Sequence, residues 1–242
     1  MPDIYVETGQ FMLHAPFPPS NLTQVFLDFD GTITRIDVID ELIRRFAIDD
    51  SWREIEVHWS LGRIGSEECL RRELNLLRIT EEQLRVFLDD VPIDPGAERL
   101  FHLLGELRVP VSILSDGIHG FIAHILKMNR ISPPPIFANQ IQHRVDRLSL
   151  MCPLSSETCD AKAAHCKCAS ARRVTEEGRT VIYVGDGRSD ICAARKASIR
   201  FAKGTLASLL SQERLDYFNF ETLNDVAAIF ERHWIRGEVS AA

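Results

Sequence analysis

Nowhere among the 242 residues does an apolar run approach the ~20 needed to cross a bilayer, so the chain is not expected to span a membrane. The opening MPDIYVETGQ lacks a basic segment ahead of a long apolar one, which argues against a secretory signal and makes the cytoplasm the expected compartment. Basic residues are also short: 28 lysines and arginines face 35 acidic residues, a formal net charge of −7. That balance leaves no excess to displace counterions from a polyanion, so no nucleic-acid partner is expected. Repeats and low-complexity tracts are absent, and glycine and proline punctuate rather than dominate. What is present is ordinary for a folded chain, with 45% hydrophobic and 26% charged residues.

Paired C-x-x-C hooks are missing too. Six cysteines occur: Cys69 and Cys192 stand apart, while Cys152, Cys159, Cys166 and Cys168 cluster with His165 among them. A disulfide framework is disfavoured by the lack of a signal and by a length that needs no staples. Reduced structural thiols and a structural zinc site both stay open, although the spacing does not match the common zinc modules.

The apolar pattern predicts an α/β fold in which a Rossmann-like parallel sheet carries helices on both faces, interrupted by an all-helical insertion. The core is expected over residues 1–36 and 92–242, with 1–22 an extension of unknown role, and the helical cap over 37–91. Val25 to Phe29 is a short apolar run ending in a glycine turn and predicts a first buried strand. Val38, Leu42 and Phe46 share one helical face. Further helical stretches follow from Trp52 to Trp59, Ser66 to Leu77 and Glu81 to Leu88, with Ser66 and Thr80 as capping residues. Then come a helix from Ala97 to Leu107, a strand from Val109 to Leu114, a helix from Ile118 to Met128 and a stiff Pro133-Pro134-Pro135 connector. Two short extended segments are expected between Ile136 and Leu150. Thr180 to Val184 reads as a strand with a helix after it through Ala197, Ile199 to Ala202 as a short strand, and Leu223 to His233 as a closing helix.

Three strands thus run out into turns rich in small or acidic residues: Asp28-Phe29-Asp30-Gly31-Thr32, Ser115-Asp116-Gly117, and Gly185-Asp186-Gly187 with Asp190 beyond. In a parallel sheet, ligands bind past the carboxyl ends of the strands. Asp28 and Asp30 are two apart in extended chain and share a face, where two anions repel unless a cation intervenes. Magnesium suits such a set, with Asp28, Asp30 and Asp186 as expected ligands and Asp190 orienting them from behind. Phosphoryl transfer needs an in-line nucleophile, charge neutralisation and a proton for the leaving oxygen. Asp28 is the expected nucleophile and Asp30 the acid and base. Thr32, Ser115 and the turn residues Asp116 and Gly117 would hold the phosphate oxygens. Lys167 would be the fixed cation, with Lys162 or Arg172 as alternatives. Asp37 either caps the first helix of the insertion or touches substrate. His58, Trp59 and His119 are expected to be packed or exposed without function.

These four motifs, in this order and spacing over roughly residues 23–203, resemble the haloacid dehalogenase superfamily, in its phosphoserine-phosphatase-like branch. The resemblance implies a C1-type helical cap inserted after the first motif, magnesium as cofactor, and an aspartyl-phosphate intermediate on the way to hydrolysing a small phosphorylated metabolite. Within that branch the Asp30-Gly31-Thr32-Ile33-Thr34 run followed by Asp37, the Trp59 to Ser66 stretch and the cysteines ahead of Lys167 are similar to the methionine-salvage phosphatases that act on a ketose phosphate. Phosphoserine enzymes usually carry glutamate where Asp37 stands. Ala163-Ala164-His165-Cys166 and Ser115-Asp116-Gly117 both vary on the salvage pattern. Phosphoserine, phosphocholine or phosphoethanolamine is the alternative substrate class, a phosphate-binding sensor the alternative of a different kind, and a monomer or homodimer the expected state.

Overall fold

A computed structural model describes residues 17–144, 147–157, 159 and 162–235. In chain order it runs β1 (Thr23–Leu27), α1 (Val38–Phe46), α2 (Trp52–Ser60), α3 (Ser66–Leu76), α4 (Glu81–Asp89), α5 (Ala97–Glu106), β2 (Val111–Ile118), α6 (His119–Met128), β3 (Ile136–Arg144) and β4 (Arg147–Met151). It continues with α7 (Lys167–Glu176), β5 (Thr180–Gly185), α8 (Ile191–Ala194), β6 (Ile199–Ala202), α9 (Gly204–Gln212), β7 (Phe218–Asn219) and α10 (Leu223–Phe230). The strands make a seven-stranded, mostly parallel sheet, so the expected α/β class holds.

Two compact units divide the described residues: 17–28, 94–111 and 168–235 form the first, 29–93 and 112–167 the second. In the first, β1 pairs in parallel with β5, β5 with β6 and β6 with β7. All five residues of β1 are buried, as are Val181 to Gly185 of β5, which is why both read as unbroken apolar runs rather than alternating ones. The Asp94 carboxylate joins α5 to α10, accepting from Gly96 N–H at 2.8 Å and Leu223 N–H at 2.9 Å. The end of the N-terminal extension also docks here. Phe17 stacks on His233 at 4.6 Å and meets Trp234 edge-on at 5.2 Å, while Trp234 Nε1 donates to the Pro18 carbonyl at 2.8 Å. Residues 1–16 lie outside the described residues.

The second unit holds α1 to α4 together with most of β2, α6, β3 and β4. β2 and β3 are parallel, and β3 returns antiparallel to β4, the two extended segments expected between Ile136 and Leu150. Asp37 caps α1, its carboxylate accepting from Asp40 N–H at 3.0 Å, and Thr80 closes a capping box with Gln83 on α4. The helices expected as a separate insertion over 37–91 are bound into this unit by long-range contacts. Arg71 on α3 donates to the Leu150 carbonyl at 2.8 Å, and His124 on α6 meets Asp89 on α4 at 2.6 Å.

Several expectations need correction. Ser66 does not cap α3; Gly65 holds that position and the Ser66 hydroxyl is engaged by distant partners. β2 runs on to Ile118 through an irregular register, which puts Ser115, Asp116 and Gly117 inside the strand. The helix after β5 breaks into a short 3-10 turn and the four-residue α8, ending at Ala194 rather than Ala197. The closing helix ends at Phe230 and relaxes into a wider π turn to Ile235. α9 was not anticipated, although Leu206 and Leu210, four apart, are its buried face.

Candidate active site

In the first unit the site is built where β1 and β5 end. Asp28 follows β1 directly and is pinned beside β5 by its N–H donating to the Val184 carbonyl at 2.9 Å; only 5% of its surface is accessible. The turn after β5 is folded around Asp190, which is fully buried. Its Oδ2 accepts the N–H groups of Asp186 at 3.1 Å and Gly187 at 2.9 Å, and its Oδ1 accepts the Tyr183 hydroxyl at 2.6 Å. Residue 185 has to be glycine for this: a Cβ there would stand 2.5 Å from Asp190 Oδ2.

One carboxylate oxygen each from Asp28, Asp186 and Asp190 lies within 4.8 Å of the others. Three anionic groups drawn together out of water repel strongly unless a cation or protons offset them. Hard oxygen donors in this number fit magnesium, which takes one or two carboxylates and fills its octahedron with water and substrate oxygens. Asp190 already accepts three hydrogen bonds, so it orients the turn while Asp28 and Asp186 are the carboxylates suited to an ion.

In the second unit Asp30 is held quite differently. Its Oδ1 accepts Val38 N–H at 3.0 Å and its Oδ2 accepts the Ser115 hydroxyl at 3.2 Å, while Ser115 Oγ in turn accepts Gly117 N–H at 2.8 Å. Loss of solvent, and then the negative charge of Asp37, push the Asp30 carboxyl up to about 8, against the opposing pull of the Val38 N–H, the Lys167 ammonium and the Ser115 hydroxyl. The residue keeps some accessible surface, but its carboxyl is enclosed. Both Asp30 carboxylate oxygens thus carry a hydrogen-bond partner within this unit. Lys167 is the first residue of α7 and only 1% exposed, whereas Lys162 and Arg172 are exposed. A lysine is almost never buried this deep unless its charge is paired. Thr32 is fully buried in the turn in which the Phe29 carbonyl accepts the N–H groups of Thr32, Ile33 and Thr34.

The Asp116 carboxylate is committed elsewhere, accepting from Ser66 Oγ at 2.8 Å and His165 N–H at 2.9 Å. Any contribution of Asp116 to phosphate would therefore come from its backbone. His165 is buried, and loss of solvent draws its imidazole down to about 4, leaving it neutral.

A family model for haloacid dehalogenase-like hydrolases matches residues 25–195. The chain belongs to that family. Its curated relatives include a 2-hydroxy-3-keto-5-methylthiopentenyl-1-phosphate phosphatase of an Exiguobacterium species, 28% identical over 209 residues that cover 85% of this chain and 96% of the relative. A namesake from Brevibacillus brevis is 26% identical over 211 residues, covering 86% and 95%. Among known structures, a phospho-aspartyl intermediate analogue of phosphoserine phosphatase superposes with a TM-score of 0.67 at 21% identity, covering 85% of this chain and 97% of that one. A haloacid dehalogenase family hydrolase from Salmonella enterica reaches 0.70 at 16% identity, covering 89% and 72%. These superpositions establish the family fold.

This haloacid dehalogenase-like hydrolase also carries groups that sequence reasoning missed. On α3, Cys69 and the almost fully buried Glu73 stand one turn apart, and a ligand atom of each lies within 4.8 Å of one from Glu56 on α2. Asp37 and Asp40 add their charge to this group. Desolvation and a hydrogen bond with Glu56 push the Glu73 carboxyl up to about 9, and desolvation with the charges of Asp37 and Asp40's other neighbour Glu56 pushes Asp40 up to about 7. The helical spacing of residues 69, 70, 73 and 74 is the signal that could have shown Glu73 facing inward. Of the residues weighed and set aside, His119 is exposed and His58 and Trp59 are half-buried. All six cysteines are thiols, and among the described residues Cys152, Cys159, His165, Cys166 and Cys168 do not bring their ligand atoms together.

Proposed function

We propose that this hydrolase is a magnesium-dependent phosphatase that passes the phosphoryl group of a small metabolite through Asp28. An Asp28 oxygen attacks phosphorus and the bond to the leaving oxygen breaks, while Asp30 gives its proton to the departing alkoxide. Asp30, now a carboxylate, takes a proton from water as that water attacks the aspartyl phosphate, and inorganic phosphate leaves with the Asp28 carboxylate restored. Asp28 and Asp186 would hold the magnesium ion, which when bound neutralises charge on the transferring group. Ser115, Thr32, Lys167 and the backbone of Asp116 and Gly117 would hold its oxygens.

The observation that carries the proposal is the difference in surroundings between two neighbouring aspartates. Asp28 stands with Asp186 and Asp190 among carboxylates that suit a cation, while Asp30 is held protonated near neutral pH by desolvation and by Asp37. A carboxyl kept protonated near neutral pH is suited to give its proton to a leaving group.

For the substrate, the likeness to enzymes named for a methylthiopentenyl phosphate supports a phosphorylated ketose of methionine salvage. A second substrate class is supported by the second unit itself. Asp37, whose charge acts on Lys167, and its acidic neighbour Glu56 would favour a cationic leaving group, as in phosphocholine or phosphoethanolamine, over the carboxylate-bearing one of phosphoserine. A panel of these four esters, assayed with magnesium, tests both. A preference of at least about tenfold in kcat/KM, about 1.4 kcal/mol, identifies the class. Activity unaffected by chelation, or an Asp28→Asn variant as active as the parent, would refute the chemistry whichever ester is preferred.

A further inference from the structure

The segment ahead of Lys167 is anchored by residues from two other parts of the second unit. Ser66, the first residue of α3, donates its hydroxyl to Asp116 Oδ2 at 2.8 Å and accepts Ala164 N–H at 2.9 Å. Asp116, in β2, accepts His165 N–H on its other oxygen at 2.9 Å. Lys167 follows two residues later, with its own N–H donating to the His165 carbonyl at 2.9 Å. The strand side is fixed as well: Asn139 Nδ2 donates to the Asp116 carbonyl at 2.6 Å, and His165 Nδ1 lies 3.3 Å from the Ser115 carbonyl. α3 also approaches this segment too closely for a side chain at its cap, since a Cβ on Gly65 would stand 2.3 Å from the Lys162 carbonyl oxygen.

We propose that Ser66 and Asp116 are positioning residues for Lys167, a latch through which helix α3 sets the place of the phosphate-binding ammonium. The inference rests on Lys167 binding phosphate, as argued above. Its physical basis is that consecutive N–H groups of residues 164 and 165 are held by one hydroxyl and one carboxylate that also bind each other. The backbone entering α7 therefore has one placement rather than several, and a charged acceptor makes these bonds stronger than neutral ones. A lysine on a flexible four-carbon stem binds phosphate as a point charge, so its effect depends on where its backbone starts. An ordinary tie between α3 and β2 would add stability alone; the latch makes Lys167's phosphate affinity depend on a hydroxyl in α3.

The test is equilibrium binding of inorganic phosphate to the magnesium-loaded full chain, followed by calorimetry so that no turnover is needed. Lys167→Met is expected to weaken phosphate binding more than tenfold. Ser66→Ala is expected to weaken it three- to tenfold, Ser66→Thr, which keeps the hydroxyl, to stay within twofold of the parent, and Ser66→Ala added to Lys167→Met to change nothing beyond twofold. If Ser66→Ala does not fold, Asp116→Asn, which retains the shape but exchanges one acceptor for a donor, takes its place in the same cycle. An unchanged affinity in Ser66→Ala, or an equal loss in both backgrounds, overturns the latch while leaving Lys167's role intact. An unchanged affinity in Lys167→Met overturns that role, and the latch with it.

Discussion

Replacing Glu73 by glutamine should leave this protein losing less stability than the parent as pH rises. Glu73 has 2% of its surface accessible, and its carboxyl is pushed from the ordinary 4.5 up to about 9 by desolvation and by its hydrogen bond and charge contact with Glu56. Between those two values the folded protein keeps a proton that the unfolded chain has released. The folded state then binds more protons than the unfolded one, so stability falls as pH rises through the window. A single group of this kind costs about 1.4 kcal/mol per pH unit, hence about 3 kcal/mol between pH 6 and pH 8 if it acted alone. Asp40, pushed up to about 7, interacts with Glu73 and titrates in the same window, so about half of that is expected to be Glu73's own share. Glutamine has nearly the same shape and can still donate to Glu56, but it does not titrate. Urea unfolding of both proteins without divalent metal, followed by circular dichroism at pH 6, 7 and 8, should show the variant gaining on the parent by about 1–3 kcal/mol across the series, a large share of a typical 5–15 kcal/mol total. A stability difference that stays flat over the series would refute the idea that this carboxyl is buried as a neutral acid.

Other expectations follow from the site and from the core. Because Asp30 must be protonated to serve the leaving group, kcat/KM for an alkyl phosphate should fall as pH rises through about 8, or lower once magnesium is bound. Asp30→Asn should abolish that alkaline limb and reduce kcat by about 10²–10⁴, with a smaller loss on p-nitrophenyl phosphate, whose leaving group needs little protonation; an unchanged limb in the variant would count against Asp30 as the acid. Asp37→Ala should cost about 1 kcal/mol through loss of the α1 cap, and Asp37→Asn almost none, so a rise in KM in the asparagine variant alone would mark a substrate contact. Phe17→Ala should cost about 3 kcal/mol in urea unfolding, since Phe17 is 5% exposed and packs on Phe230, His233 and Trp234. A loss under about 1 kcal/mol would mean that the extension's end adds little to the core.

The acidic strand ends were legible because two features coincide in the chain: apolar runs long enough to be buried strands, and Asp-Gly turns directly after them. Asp28, Asp30 and Asp186 could be placed at strand ends from that pattern alone, and the helices from Val38 to Asp89 followed from apolar spacing and caps. The partners of those aspartates could not. Asp30 and Asp28 are two residues apart, yet one is held by Ser115 from 85 residues away and the other gathers with Asp186 and Asp190. Such pairings are set by tertiary packing, which leaves no local periodicity. Ser66 shows the same limit: a serine before two glutamates has the local chemistry of a helix cap, but a carboxylate 50 residues away competes successfully for its hydroxyl. The run of Ser115 within β2 depended on an irregular register that propensity does not reveal, and the burial of Lys167 ran against the usual exposure of lysine.

The central claim is that phosphorus is bonded to Asp28 during turnover. Borohydride added to the magnesium-loaded enzyme in the presence of excess substrate reduces an aspartyl phosphate to homoserine, and peptide mass spectrometry then locates the change. Homoserine at position 28, absent without substrate and absent in Asp28→Asn, is the result expected; steady turnover with residue 28 unmodified, or with the reduction mapped to Asp30 or Asp186, would contradict it.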